Sequence, residues 1–299
     1  MRLRFLNLFY KFKFSELHLF AVLFLLFTKD RAYIIIKYIF KALEDFMDSI
    51  RLENLGSGVA AVISDEHGFG TDALLLADFA NPNQNDRCCD MGSGCGIIPL
   101  LWCRKKLKNP VKAIEISEKA CAQIEKAKEI SSLQDKIDVF NIDLRTVKEH
   151  IEAGSIDVLT MNPPYKAEGR GIVSQGKAQA VARHGLMCNL DDMCAAAQWL
   201  LRFGGRFCVC LRPERLCELM VCMSNHAIEP KRLKTVSKKD GTAPWLILVE
   251  GKRGARVGMN IEPQLNVYKS DGTYCDYIKS LYEDYEKEKE NNLKRRGEN

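Results

Sequence analysis

Residues 87 to 102 read RCCDMGSGCGIIPLLW. A short apolar run ends at Asp90-Met91, three glycines alternate through Gly92, Gly94 and Gly96, and the apolar residues then recur at helical spacing. A strand that turns through glycine into a helix opens a strand-helix unit, and the chain beyond it repeats the unit. VKAIEI (111–116) reads as a second strand, and SEKACAQIEKAKEI (117–130) as an amphipathic helix capped by Ser117. KIDVFNIDL (136–144) and SIDVLTM (155–161) read as strands on either side of RTVKEHIEAG, a polar helix candidate. DDMCAAAQWLLRFGG (191–205) predicts a helix stopped by glycine, followed by RFCVCLRP as a strand, PERLCELMVCMSNH (213–226) as a helix, and RLKTVSK and PWLILVEG as the closing strands. This alternation predicts an α/β fold, a mostly parallel seven-stranded sheet with helices on both faces. Its ligand belongs beyond the carboxyl ends of the strands, so Met91, Glu115, Asp143 and Asn162 are expected on one rim.

The chain has 299 residues, 46% of them apolar, enough for a substantial core. Twelve cysteines fall mostly within apolar segments and form no C-x-x-C pair, which points to buried thiols in a cytoplasmic, reducing setting and to no metal site. The net charge is +5, and most of the excess lies in residues 1–46. There, LHLFAVLFLLF (17–27) is strongly apolar but too short to span a bilayer, which takes about 20 residues, and Lys29, Asp30 and Arg31 cut it off from AYIIIKYIF. The segment reads as a stretch ahead of a start at Met47, as a peripheral membrane or partner-binding segment, or as a cover for the fold; the first is favoured, so membrane association is not expected. The expected organisation is an extension (1–46), a core domain (47–280) and a charged tail (281–299).

Spacing G-x-G-x-G differs from the G-x-G-x-x-G of dinucleotide binders, so a pyrophosphate is not the obvious guest. Taken alone, the loop is equally a tight strand-to-helix turn. Glu115, ending the second strand, is placed to accept ribose hydroxyls, and Asp143, beyond the third, to meet an adenine amine. Acids and glycines of this kind suit an adenosine with a cationic centre and no phosphates. The strand order and these residues resemble the Rossmann-like methyltransferases, and the resemblance implies S-adenosylmethionine as cofactor, held by Asp90, Gly92, Gly94, Gly96, Glu115, Asp143 and Asn162.

The fourth strand of the pattern, SIDVLTM, ends on Asn162-Pro163-Pro164-Tyr165. Proline restricts the residue before it to extended backbone and fixes its own φ, so the corner is stiff. The Asn162 side-chain oxygen and the Pro163 carbonyl can then grip both hydrogens of an exocyclic amine, and Tyr165 offers a flat face for a base. Asn162, Pro163 and Tyr165 are therefore the candidate catalytic residues. The tetrapeptide is the signature of amino-directed methyltransferases, whose targets include adenine N6, cytosine N4 and the glutamine side chain.

HGFGTDALLLADFA (67–80), DMGSGCGIIPL, ARHGLMCNLDDM (182–193) and LRPERLCELM (211–220) together resemble the tRNA adenine-N6 methyltransferases that modify position 37 of a valine tRNA. The resemblance implies that Phe69, Thr71 and Asp72 lie over the cofactor and that tRNA is the partner. Pro164, Tyr165, Lys166, Arg183 and His184 would face the substrate. A basic excess between Glu229 and Gly258 (Lys231, Arg232, Lys234, Lys238, Lys239, Lys252, Arg253, Arg256) offers a second phosphate-binding surface. Two other functions remain open: a protein glutamine methyltransferase acting on a release factor, and a non-catalytic RNA-binding or membrane-tethered module.

Overall fold

The computed structural model describes residues 50–163 and 188–281; the extension 1–46 and the tail from 282 onward lie outside the described residues. An antiparallel hairpin comes first, β1 (Arg51–Gly56) and β2 (Val59–Ile63), followed by α1 (Thr71–Ala80). The glycine-rich stretch then forms β3 (Cys88–Met91) and α2 (Ile97–Arg104), continued by β4 (Val111–Glu115), α3 (Glu118–Ile130), β5 (Ile137–Asn141), a 3-10 turn (Leu144–Glu149) and β6 (Ile156–Met161). After the gap come α4 (Leu190–Leu200), β7 (Leu201–Leu211), α5 (Leu216–Asn225), β8 (Ile228–Ser237) and β9 (Leu246–Arg253), with two-residue strands β10 (Asn260–Ile261) and β11 (Leu265–Asn266).

Seven long strands lie in the order β5-β4-β3-β6-β7-β9-β8, with β10 and β11 added parallel to β8. Pairing from β5 through β7 is parallel, and β9 runs antiparallel to both β7 and β8. The expected seven-stranded sheet is thus present, lengthened at one edge. From β3 the chain winds outward through β4 and β5, then returns to the other side of β3 for β6 and β7. Between β3 and β6, therefore, the winding reverses, and the crevice at the carboxyl ends of these strands is where such sheets take a ligand.

Strand alternation divides the core between two helical layers. Cys89 and Met91, Leu159 and Met161, Phe207 and Val209 share a cluster with Leu144 and Val147 of the 3-10 turn, Met193 and Ala197 of α4, and Leu219 and Met223 of α5. The opposite face meets α1, α2 and α3, with Trp102 buried and its indole donating to the Ala77 carbonyl at 3.0 Å. The sheet and its two layers form the α/β fold that the strand-helix alternation predicts.

Two segments depart from their predicted form. The helix expected over 191–205 ends at Leu200, and Leu201–Gly205 open β7 instead. Leu201 turns to extended backbone (φ −69°, ψ 136°) and pairs with Ile156, fully buried, so the sheet outbids the helix for it. The polar helix expected over 145–154 is a 3-10 turn over Leu144–Glu149, whose buried positions, Leu144 and Val147, lie three apart and suit the threefold period.

Gly96 is one position where glycine is required. Its φ is +79°, and a Cβ there would lie 2.8 Å from Ile124 Cγ1 of α3. Gly96→Ala should cost about 1–3 kcal/mol of stability, measured as a lowered urea midpoint at unchanged m-value.

Candidate active site

Gly92, Gly94 and Gly96 all adopt positive φ, and Gly92 and Ser93 donate their N–H groups to the Ile114 carbonyl at 2.8 and 3.0 Å. The loop is thereby fastened to β4. Glu115 follows at once: its carboxylate, 8% exposed, accepts the Gly94 N–H and the Ser117 N–H, both at 2.8 Å. One side chain thus joins the glycine loop to the start of α3. A Cβ built on Gly94 meets nothing within 4 Å, so open space lies above the loop, beside a fixed carboxylate. An adenosine ribose fits that combination: hydroxyls for the acid and close approach to a backbone without side chains.

Asp90 plays a different part from the one expected. Its side chain is 2% exposed and points into the sheet, where Thr160 Oγ1 donates to Oδ1 at 2.7 Å across the paired positions of β3 and β6. Ser93 Oγ donates to its backbone carbonyl at 2.9 Å. Asp90 is therefore a prop beneath the loop. Burial is the main cause that pushes its carboxyl up to about 7, against the lowering effect of the Thr160 and Ser93 hydrogen bonds.

Asp143 also departs from its expected part. It caps the 3-10 turn through the Arg145 N–H at 2.9 Å, and both carboxylate oxygens meet the Arg145 guanidinium, which holds its pKa below the usual range. An adenine amine would have to share those oxygens with an arginine.

Asn162 follows β6 and is half-buried, with Pro163 buried behind it. Its amide nitrogen donates to Asp72 Oδ2 at 3.3 Å, and its oxygen meets the Cys210 thiol of β7 at 3.0 Å. A carboxylate only accepts, so Asp72 selects the NH2 end of the amide on its side and turns the oxygen toward β7. Asp72 sits in the first turn of α1 and also caps the Ala73 N–H at 3.0 Å, a favourable place for an anion. Phe69 and Thr71, half-buried, flank it. The segment before α1 is anchored to α3: His67 Nε2 lies 3.2 Å from Ser117 Oγ, and Gln123 Nε2 donates to the Val62 and His67 carbonyls at 3.1 and 3.3 Å.

Pro164, Tyr165, Lys166, Arg183 and His184 lie outside the described residues. Thr160, Ser117 and Cys210 were absent from the expected set. Thr160 carries a legible signal, a hydroxyl in the apolar run VLTM (158–161), two residues before Asn162.

The basic stretch 229–258 is divided by the fold. Because β8 is parallel to the central strands and β9 antiparallel, Lys238 and Lys239 reach the carboxyl rim, whereas Lys231, Lys252, Arg253 and Arg256 lie toward the opposite end. Arg232 and Lys234 are committed to Glu250 and Glu262 at 3.0–3.3 Å, with the Arg232 guanidinium 3.9 Å from the Phe79 ring centre. On the carboxyl rim Arg212 stacks on Trp245 at 5.6 Å.

Sheet order, glycine loop and pinned acid define a Rossmann-like S-adenosylmethionine-dependent methyltransferase. The chain belongs to the methyltransferase small domain family, which matches residues 61–218. It is similar to the tRNA1(Val) (adenine(37)-N6)-methyltransferase of Histophilus somni, 29% identical over 217 residues that cover 72% of this chain and 89% of that one. The protein of the same name from Serratia proteamaculans is 28% identical over 219 residues, covering 72% and 82%. Among solved structures, a predicted O-methyltransferase from Agrobacterium tumefaciens shares the fold, with a TM-score of 0.57 at 17% identity over 72% of this chain and 96% of that one.

The raised Asp90 pKa has a definite sign. A carboxyl that titrates near 7 when folded and near its usual value when unfolded binds more protons in the folded state, so its contribution to stability falls as pH rises from about 4 to 7. Asp90→Asn, which keeps an acceptor for Thr160, should remove that component. Thermal melts from pH 4 to 8 test this, with the variant losing less stability toward neutral pH than the parent.

Proposed function

We propose that this methyltransferase modifies the exocyclic N6 amine of an adenine in tRNA, at position 37 in the anticodon loop of a valine tRNA. The observation that carries the reading is the Asp72-oriented amide of Asn162, set at the sheet's switch point between the Gly92–Glu115 crevice and β7. The name borne by the Histophilus and Serratia relatives supports the choice of substrate.

S-adenosylmethionine supplies a methyl group on a sulfonium, already a strong electrophile. Glu115 holds the ribose hydroxyls and so places the donor on the β3–β4 side of the crevice. The adenine enters on the β7 side of Asn162, where the amide oxygen points. Asn162 Oδ1 and the Pro163 carbonyl each accept one N6 hydrogen, which turns the nitrogen lone pair toward the methyl carbon. A thiol is a weak donor, so an amine N–H competes readily with Cys210 for the same oxygen. As the C–N bond forms and the C–S bond breaks, positive charge grows on N6 and both acceptors gain strength. The surplus N6 proton then leaves to solvent. Tyr165 stacks on the flipped base, and Pro164, Lys166, Arg183 and His184 bind the nucleotide and its neighbours. An anticodon-loop adenine is already single-stranded, so splaying it out costs little. Lys238, Lys239 and Arg212 on the carboxyl rim suit the flanking phosphates.

Asn162→Ala should lower turnover by about 100-fold or more while donor affinity changes little, the scale of one lost transition-state acceptor. Glu115→Ala should show the reverse split, with weakened donor binding by calorimetry. Equal losses in both variants would remove the division of labour between them.

Tritiated S-adenosylmethionine offered to bulk tRNA and to release factor decides the substrate. Label is expected in tRNA, with nucleoside mass spectrometry finding N6-methyladenosine, and fragment mapping placing it at position 37 of valine tRNA. Label in release factor alone, or in cytidine, would overturn the reading.

A further inference from the structure

Away from the crevice, α4 and α5 pack together on the face of the sheet opposite α1. Asp191, Cys222 and His226 converge there, each offering one ligand atom, and those atoms all lie within 4.8 Å of one another. Among the described residues this is the one group of three or more histidine, cysteine or acidic side chains with such spacing. The Cys194 thiol is a neighbour of Cys222 outside that group. Positions 222 and 226 are four apart at the end of α5, so that helix presents two donors on one face, and α4 supplies the third.

We propose that Asp191, Cys222 and His226 form a site for one divalent cation of the zinc type, joining α4 to α5, with the fourth position open to solvent. A sulfur, an imidazole nitrogen and a carboxylate oxygen are a mixture that tetrahedral zinc accepts, and the set disfavours magnesium and calcium, which take oxygen ligands. The three ligand atoms lie within 4.8 Å of one another; His226 Nε2 and Asp191 Oδ1, hydrogen-bonded at 2.8 Å, would open to the roughly 3.3 Å edge of a tetrahedron with metal-ligand bonds of about 2.0 Å. An ion pair accounts for Asp191 and His226 alone and not for the approach of the Cys222 thiol to both.

The surroundings fit as well. Asp191 lies in the first turn of α4, where the helix favours an anion, and His226 is the C-cap of α5, where the carboxyl end of the helix favours a cation. The Asn189–Asp192 capping box fixes the start of α4, so Asp191 stands on a stiffened frame. A surface groove lined by Asp191, Cys217, Glu218 and Cys222 opens onto the site and gives a metal access from solvent. Coordination would release the Cys222 thiol proton, which the Leu190 carbonyl accepts at 3.1 Å, to the buffer as the thiolate forms. The cation would tie α4, the helix that follows the Asn162 segment, to α5 independently of the methyl-transfer chemistry.

The probe is Co2+, added to the reduced full-length protein after chelator treatment. Binding should saturate at one equivalent, with the visible bands of tetrahedral cobalt and a near-ultraviolet thiolate-to-metal charge-transfer band, all abolished by Zn2+. Cys222→Ser and His226→Ala should each weaken Co2+ affinity by about 100-fold or more, beyond what loss of an outer partner costs. Cys217→Ser, which removes an exposed thiol at the groove, should leave the spectrum and affinity unchanged. Failure of the parent protein to give a saturable tetrahedral spectrum overturns the proposal without recourse to any variant. So does a spectrum retained by folded Cys222→Ser and His226→Ala, or lost in Cys217→Ser, either of which assigns the metal to adventitious surface thiols.

Discussion

The structure depends on β3 being hydrogen-bonded to β4 on one side and β6 on the other. A chain that winds outward and then returns to the opposite flank of its first central strand cannot cover the carboxyl ends of that strand pair with its own connections. The gap is filled on the loop side by backbone, through the Gly92 and Ser93 N–H groups, and beneath by the Asp90–Thr160 hydrogen bond between paired residues of β3 and β6. An acid buried at that junction costs desolvation unless its partners are in place. Thr160 and Ser93 supply them, and the strands that carry the loop and Asn162 are thereby held in register.

From that register follows the separation of two polar side chains along the rim. Glu115, one strand outward from β3, is pinned by two backbone amides and faces the space above Gly94. Asn162, one strand over in the other direction, is oriented by Asp72 from α1 with its oxygen toward β7. Neither side chain is placed by its own strand alone. Each depends on a group from another element, Gly94 and Ser117 for the first, Asp72 and Cys210 for the second. Such preorganisation costs stability where polar groups are buried and returns it as fixed side-chain geometry.

Much of this was legible in the linear chain. Apolar runs of four to six residues ending in Gly, Asp, Glu or Asn gave the parallel strands, because a strand buried on both faces has little other composition available. Ser117 announced the cap of α3, and its hydroxyl does accept the Ala120 N–H at 3.3 Å. The Leu201–Gly205 segment misled because its residues suit either state, and pairing with β6 decided the matter. Asp143 looked like a free acid at a strand end, yet a side chain two residues on, Arg145, takes its oxygens.

By itself the sequence determined the order of elements from β3 onward, the glycine turn, and the positions of Glu115 and of the Asn162–Pro163 corner at strand ends, since each follows from local backbone restriction and residue type. Only the tertiary structure decided which groups meet. It carried Asp72 to Asn162 from 90 residues away, buried Asp90 against Thr160, and brought Cys222 and His226 to Asp191. It also split one basic run between opposite ends of the sheet, because strand direction, which depends on pairing, sets where a charge points.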